Sequence, residues 1–164
     1  MHAIPALTDA GITAEMAAFS VGLLTVVSIA GRLSFGYMGD FVDKRYLFLF
    51  AYILQGGGVL ILMIAREMTM VYLFVAVFGV GFGATVPLLA SIRADYFGRA
   101  ALGKIQGFMS PVTMVAGATG PVSAGYLFDT TGSYDSAFLA VGLLTIAGGF
   151  IILLAKPHKA VEEI

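Results

Sequence analysis

The chain has 164 residues, of which 59% are hydrophobic and only 12% charged, about half the charge of an ordinary soluble domain. With a mean hydropathy of +0.96 and a net charge of −1 from 9 basic and 10 acidic residues, these figures exclude a disordered chain, a nucleic-acid binder and most soluble enzymes. Cysteine is absent and the two histidines, His2 and His158, sit near opposite ends, so neither a disulfide scaffold nor a local metal cluster is expected.

The charges cluster, and the clusters divide the chain into apolar blocks about as long as a bilayer is thick, roughly 20 residues each. The first runs over 16–38, interrupted by Arg32. The second runs over 46–65 and closes at Arg66-Glu67, and the third over 68–92, closing at Arg93-Ala94-Asp95. The fourth runs over 105–128, closed by Asp129, and the fifth over 137–155, closed by Lys156-Pro157. The expected fold is all-α, an integral membrane bundle of about five transmembrane helices. A transmembrane β-barrel would show alternating polarity, and the run Val59-Leu60-Ile61-Leu62-Met63-Ile64 does not alternate. The first 15 residues have neither a basic start nor the apolar core of a secretory signal peptide.

Orientation follows from lysine and arginine. Lys44, Arg45, Arg93, Arg99, Lys104, Lys156 and Lys159 lie on one side and Arg66 on the other, seven against one. The expectation is a multi-pass protein of a bacterial inner membrane, with its C-terminus in the cytoplasm and its N-terminal stub outside. Five spans with an outside N-terminus suggest a segment missing upstream.

In the first span Gly22, Thr25, Ser28, Arg32 and Gly36 fall at spacings of 3, 3, 4 and 4, which puts small and polar residues along one helical face. Arg32 lies eight residues before Asp40, about 12 Å from the helix end at about 1.5 Å per residue. A charge at that depth points to function, and the guanidinium fork suits a carboxylate. An arginine that snorkels to the headgroups is the other reading. The span exits through Gly31-Arg32-Leu33-Ser34-Phe35-Gly36-Tyr37-Met38-Gly39-Asp40-Phe41-Val42-Asp43-Lys44-Arg45. Here glycine permits close helix approach, and Asp40 can pair with Lys44 one turn on.

The third span contains Gly79-Val80-Gly81-Phe82-Gly83-Ala84. This fits a dinucleotide fingerprint formally, but that motif needs a strand before it and here it lies mid-span. Gly79 and Gly83 instead make a small-x-x-x-small packing face. Gln55 and Gly56-Gly57-Gly58 in the second span suit packing or an interhelical bond. In the fourth span Gln106, Ser110, Thr113, Gly117 and Gly120 form a second small-and-polar face that continues into Pro121, where the helix ladder loses a bond. Such a face suits a cavity-lining, bending helix, or simple packing through small residues.

Gly36, Asp40 and the paired Lys44 and Arg45 resemble the loop signature G-x-L-x-D-R-x-G-R-R of the major facilitator superfamily. Phe41 and Asp43 depart from it, as its second copy between helices eight and nine tends to. Tyr96-Phe97-Gly98-Arg99 with Gly103-Lys104-Ile105-Gln106-Gly107 resembles the cytoplasmic loop before helix eleven. Asp129-Thr130-Thr131-Gly132-Ser133-Tyr134 with Phe138 resembles the outer loop before helix twelve. The combination looks most like the oxalate/formate and monocarboxylate branch. The resemblance implies helices eight to twelve of a twelve-helix fold, with Ala3-Ile4-Pro5 ending helix seven. It also implies alternating access for a small solute, an organic anion moved by symport or exchange, with a coupling proton as a possible co-substrate.

In that frame Arg32 binds the anion. Ser28, Thr25, Gln106, Ser110 and Thr113 line the path, and Gly36, Asp40, Lys44 and Arg45 form a cytoplasmic gate. Gly79, Gly83, Gly117, Gly120 and Pro121 serve packing and bending. Two departures count against a close match: Ser28 stands where animal monocarboxylate carriers have an acidic residue, and no lysine lies between Lys104 and Lys156, where oxalate-type relatives have one. The partners implied are the bilayer, the solute and an N-terminal half; no cofactor, metal, nucleic acid or catalytic chemistry is expected. A drug or metabolite exporter, and a truncated product without transport of its own, are the competing readings.

Overall fold

Five long helices make up most of the described residues. The computed structural model describes residues 8, 13–98, 101–132 and 134–155, without the side chains at 121 and 131. The expected tail of a preceding helix at Ala3-Ile4-Pro5, and Arg99, Lys156 and Lys159 of the charge count, lie outside the described residues. The helices are α1 (Ala14–Met38), α2 (Lys44–Ile64), α3 (Met68–Phe97), α4 (Leu102–Thr131) and α5 (Asp135–Ile152). Each overlaps one of the expected apolar blocks, with α2 stopping one residue short of 65 and α5 three short of 155.

Four of the five, α1, α2, α3 and α5, are long and apolar enough to cross a membrane. Helix α4 has the length, at 30 residues, but its serines, threonines and glycines make it the least apolar of the five.

Local chemistry sets several helix ends. Thr13 caps α1 by accepting from the Met16 amide at 3.4 Å, and Glu15 in its first turn suits the positive end of the helix dipole. Asp43 caps α2, accepting from the Arg45 amide at 2.9 Å. At the other end of α2 the Arg66 guanidinium donates to the Met63 and Ala65 carbonyls, which the helix leaves unpaired. Gly132, at φ +71°, ends α4 in the left-handed conformation that glycine adopts without strain.

Helices α1, α3, α2 and α5 pack side by side in that order, with α3 against both α1 and α2 and α2 against both α3 and α5. Two buried clusters hold the row together. At the Arg66 end Ala17, Leu62, Ala65, Val71, Phe74 and Val75 meet; at the Lys44 end Phe35, Leu47, Phe48, Ala51, Ala84, Leu88 and Ile92 meet.

Between the clusters lies a waist of glycine. A Cβ on Gly83 would come within 2.8 Å of the Ser28 carbonyl carbon, and one on Gly31 within 2.9 Å of the Val80 backbone. On the opposite face of α3, a Cβ on Gly81 would come within 2.7 Å of the Ala51 carbonyl oxygen. Residues two apart point to opposite sides of a helix and residues four apart to the same side. The alternating glycines of 79–83 therefore let α3 approach two neighbours at once. The Gln55 amide bridges one of these crossings, donating to the Gly81 carbonyl at 3.2 Å.

Candidate functional site

Helix α1 packs on α3 through Ala17, Ser20, Ser28, Gly31 and Phe35, all buried. Its small-and-polar stripe is split by that contact. Ser28 is buried, with its hydroxyl donating to the Thr25 carbonyl at 2.7 Å. Gly36 is half-buried beside Pro87, the proline inside α3. Thr25 and Arg32 are exposed and lie on one side of α1, flanking the crossing where the Arg32 backbone comes near Gly83 of α3. The Thr25 hydroxyl bonds back to the Val21 carbonyl at 3.3 Å. Arg32 makes no ion pair among the described residues.

The second stripe stands on α4, which touches the row only lightly, against α5 and α3. Ser110 and Thr113 are exposed, and their hydroxyls bond within their own helix, to the Gln106 carbonyl at 2.7 Å and the Ser110 carbonyl at 2.9 Å. A Cβ on Gly117 or Gly120 would have nothing within 4 Å. Helix α4 continues through position 121. Gln106 is drawn to the side: its Oε1 accepts a short hydrogen bond from Arg93 Nη1 of α3.

At the Lys44 end the charged residues form a clasp over three helix ends. Lys44 pairs with Asp95 of α3 at 2.5 Å, rather than with Asp40 one turn away. Asp40 is exposed and makes no ion pair among the described residues. The guanidinium of Arg45 grips Asp43 through Nη2 at 2.6 Å and Nε at 3.1 Å, and its Nη1 donates to the Ala155 carbonyl beyond α5. Tyr96 donates to the same carbonyl at 3.0 Å. Hydrogen bonds from Arg45 hold the Asp43 carboxyl below the usual aspartate range.

Local spacing offers Asp40 to Lys44, whereas the actual partner lies 51 residues away; only the packing of α2 on α3 brings it near. The sequence does carry a signal for Asp43, an acidic residue directly before a helix start. Among the described residues no three metal-ligating side chains come together.

Comparison with known proteins places these helices in context. The family model of the Major Facilitator Superfamily matches residues 1–163. The chain is similar to monocarboxylate transporter 12 of Rattus norvegicus, 31% identical over 167 residues that cover 99% of this chain and 34% of the relative. It is similar to monocarboxylate transporter 12 of Xenopus laevis at 33% identity, covering 99% and 36%. To monocarboxylate transporter 2 of Homo sapiens it is 27% identical, covering 93% and 33%. The chain thus spans about a third of the length of the relatives it matches.

Proposed function

The chain belongs to the Major Facilitator Superfamily, and on that premise we propose that it supplies helices eight to twelve of a twelve-helix transporter for a small organic anion, a monocarboxylate. It is a multi-pass membrane protein, and no catalytic step is assigned to it. The relatives matched are vertebrate proteins.

One observation carries the anion assignment. Arg32 stands within an apolar span, exposed at the flank of the α1–α3 crossing, with Thr25 seven residues before it on the same side and no ion pair among the described residues. A cation at that depth is costly unless water or an anion meets it. A planar fork binds both oxygens of a carboxylate, and the relatives are named for monocarboxylates. Alternating access would bring this face, and the exposed Ser110 and Thr113 of α4, against a second half of the transporter. The clasp of Lys44, Asp95, Arg45 and Asp43 would then hold the cytoplasmic ends of α2, α3 and α5 as one body.

The test is uptake of radiolabelled L-lactate by the full-length protein in proteoliposomes. Arg32→Lys should lose about 2–5 kcal/mol of binding, roughly 30-fold or more in affinity, because an ammonium cannot reproduce two parallel hydrogen bonds. Wild-type affinity in Arg32→Lys would remove the anion and leave the transporter. Uptake driven by an imposed proton gradient identifies symport; uptake that requires preloaded monocarboxylate identifies exchange. Reporter fusions at Arg66 and Lys159 should report opposite sides of the membrane, with Lys159 in the cytoplasm.

A further inference from the structure

Arg93 makes no ion pair among the described residues. It lies in the last turns of α3, four residues before Phe97, at the same end of the row as the Lys44–Asp95 pair. Its Nη1 reaches the neutral Gln106, and its Nε is buried with no hydrogen-bond partner. The nearest carboxylate along its helix, Asp95, is two residues on and therefore points to the other side, where Lys44 holds it.

Arg93 also closes one end of a groove between α3 and α4. Val86, Leu89, Ala90, Leu102 and Gly103 line this groove with Arg93 and Gln106, and its volume is about 520 Å³. Its apolar wall runs back along α3 from Arg93 to Val86, about 10 Å toward the middle of the span at about 1.5 Å per residue. At its mouth the first turn of α4 has no side-chain cap, and a helix start favours an anion. Lys104, in that turn, is exposed and makes no ion pair among the described residues.

We propose that this groove binds one anionic phospholipid, its phosphate on Arg93 and the start of α4 and one acyl chain along Val86, Leu89 and Ala90. A cationic head at headgroup depth joined to an alkyl-lined channel matches a lipid phosphate with its chain. A free carboxylate solute would use only the head of the site. Bound there, the lipid mortars α4 to α3 at the end where their direct contact is slight. The assignment does not depend on which solute is carried.

The test is native mass spectrometry of the full-length protein, taken from vesicles of phosphatidylcholine containing phosphatidylglycerol. Wild type should retain phosphatidylglycerol in preference to phosphatidylcholine. Arg93→Ala should reduce that retention about fivefold or more, as expected for one basic residue at a lipid surface. Gln106→Glu should do the same without truncating anything, because it offers Arg93 an anion within the protein. Arg66→Ala, at the opposite end, should leave retention unchanged. Equal retention by wild type and both groove variants would overturn the proposal, as would equal retention of the two lipids by wild type. Inorganic phosphate displacing the lipid at comparable concentration would also overturn it, since the apolar channel would then contribute nothing.

Discussion

Helices α3 and α4 are equally long and both rich in glycine, yet they use it in opposite ways. In α3 a methyl group at Gly81 or Gly83 would strike the backbone of a neighbouring helix, and one at Gly79 would press tightly on Val27. In α4 a methyl at Gly103, Gly107, Gly117, Gly120 or Gly125 would meet nothing within 4 Å. The hydroxyls differ likewise. Ser28, opposite α3, is buried at a crossing, whereas Ser110 and Thr113 are exposed and bonded only to their own helix. A stripe of small residues is thus a capacity for close approach, and whether it is used depends on a partner surface elsewhere in the chain.

The largest expected effect tests that contrast directly. Gly83→Ala drives a Cβ into backbone that cannot move without separating α1 from α3, and should cost about 2–3 kcal/mol or more of stability. Gly117→Ala should be neutral, or stabilising by up to about 1 kcal/mol, because alanine favours helix over glycine. Denaturation of the purified protein by increasing SDS gives both numbers. Comparable damage from Gly117→Ala would mean that α4 is packed as tightly as α3.

A smaller difference is expected for polar side chains. Gln55→Leu removes the bond from α2 to the Gly81 carbonyl and should cost about 0.6–1.7 kcal/mol, the range for interhelical bonds in membranes. Ser110→Ala removes a bond within α4 only and should leave unfolding unchanged. A loss for Ser110→Ala equal to that for Gln55→Leu would place a neighbour against this face of α4.

The helices themselves were legible because each charge cluster ends an apolar run, and the bilayer sets the length of that run. Arg66 and Asp129 mark their boundaries with no need of tertiary information. The partners of the charges were far less legible. Local spacing offered Asp40 to Lys44, but Asp95 takes it across the crossing of α2 and α3. Asp43, which departs from the family loop, serves as helix cap and as partner of Arg45. The link between Arg93 and Gln106 depends on how α4 leaves α3, and no periodicity encodes that angle. Boundaries drawn from charge clusters also miss that α4 is more polar than the other four, since its charges are as sparse as theirs.

The two regions differ at their ends as well, with smaller consequences. The Lys44–Asp95 pair ties α2 to α3 with side chains 20% and 47% exposed. Exposed pairs contribute about 0–1 kcal/mol, so a double-mutant cycle of Lys44→Ala and Asp95→Ala should yield a coupling of about 0.5 kcal/mol that shrinks in high salt. A coupling above about 2 kcal/mol would mean that the clasp is buried by other parts of the protein.

The smallest effect is a pH dependence confined to the start of α2. Asp43 is held below the usual aspartate value of 3.8 by its hydrogen bonds from the Arg45 side chain and amide. The folded pKa is thus depressed below the unfolded one. The stabilisation is therefore complete above the unfolded value and is lost as pH falls through the folded one. Asp43→Asn keeps a capping side chain but removes the charge. The difference in stability between wild type and Asp43→Asn should stay constant from neutral pH down to about pH 5 and shrink below about pH 4. Helix α4, with no side-chain cap at Ala101, has no counterpart, so Ala101→Ser should add stability that does not vary over the same range. A wild-type advantage over Asp43→Asn that changed between pH 5 and pH 7 would assign the titration to another group and separate the Asp43–Arg45 contact from the stability of α2.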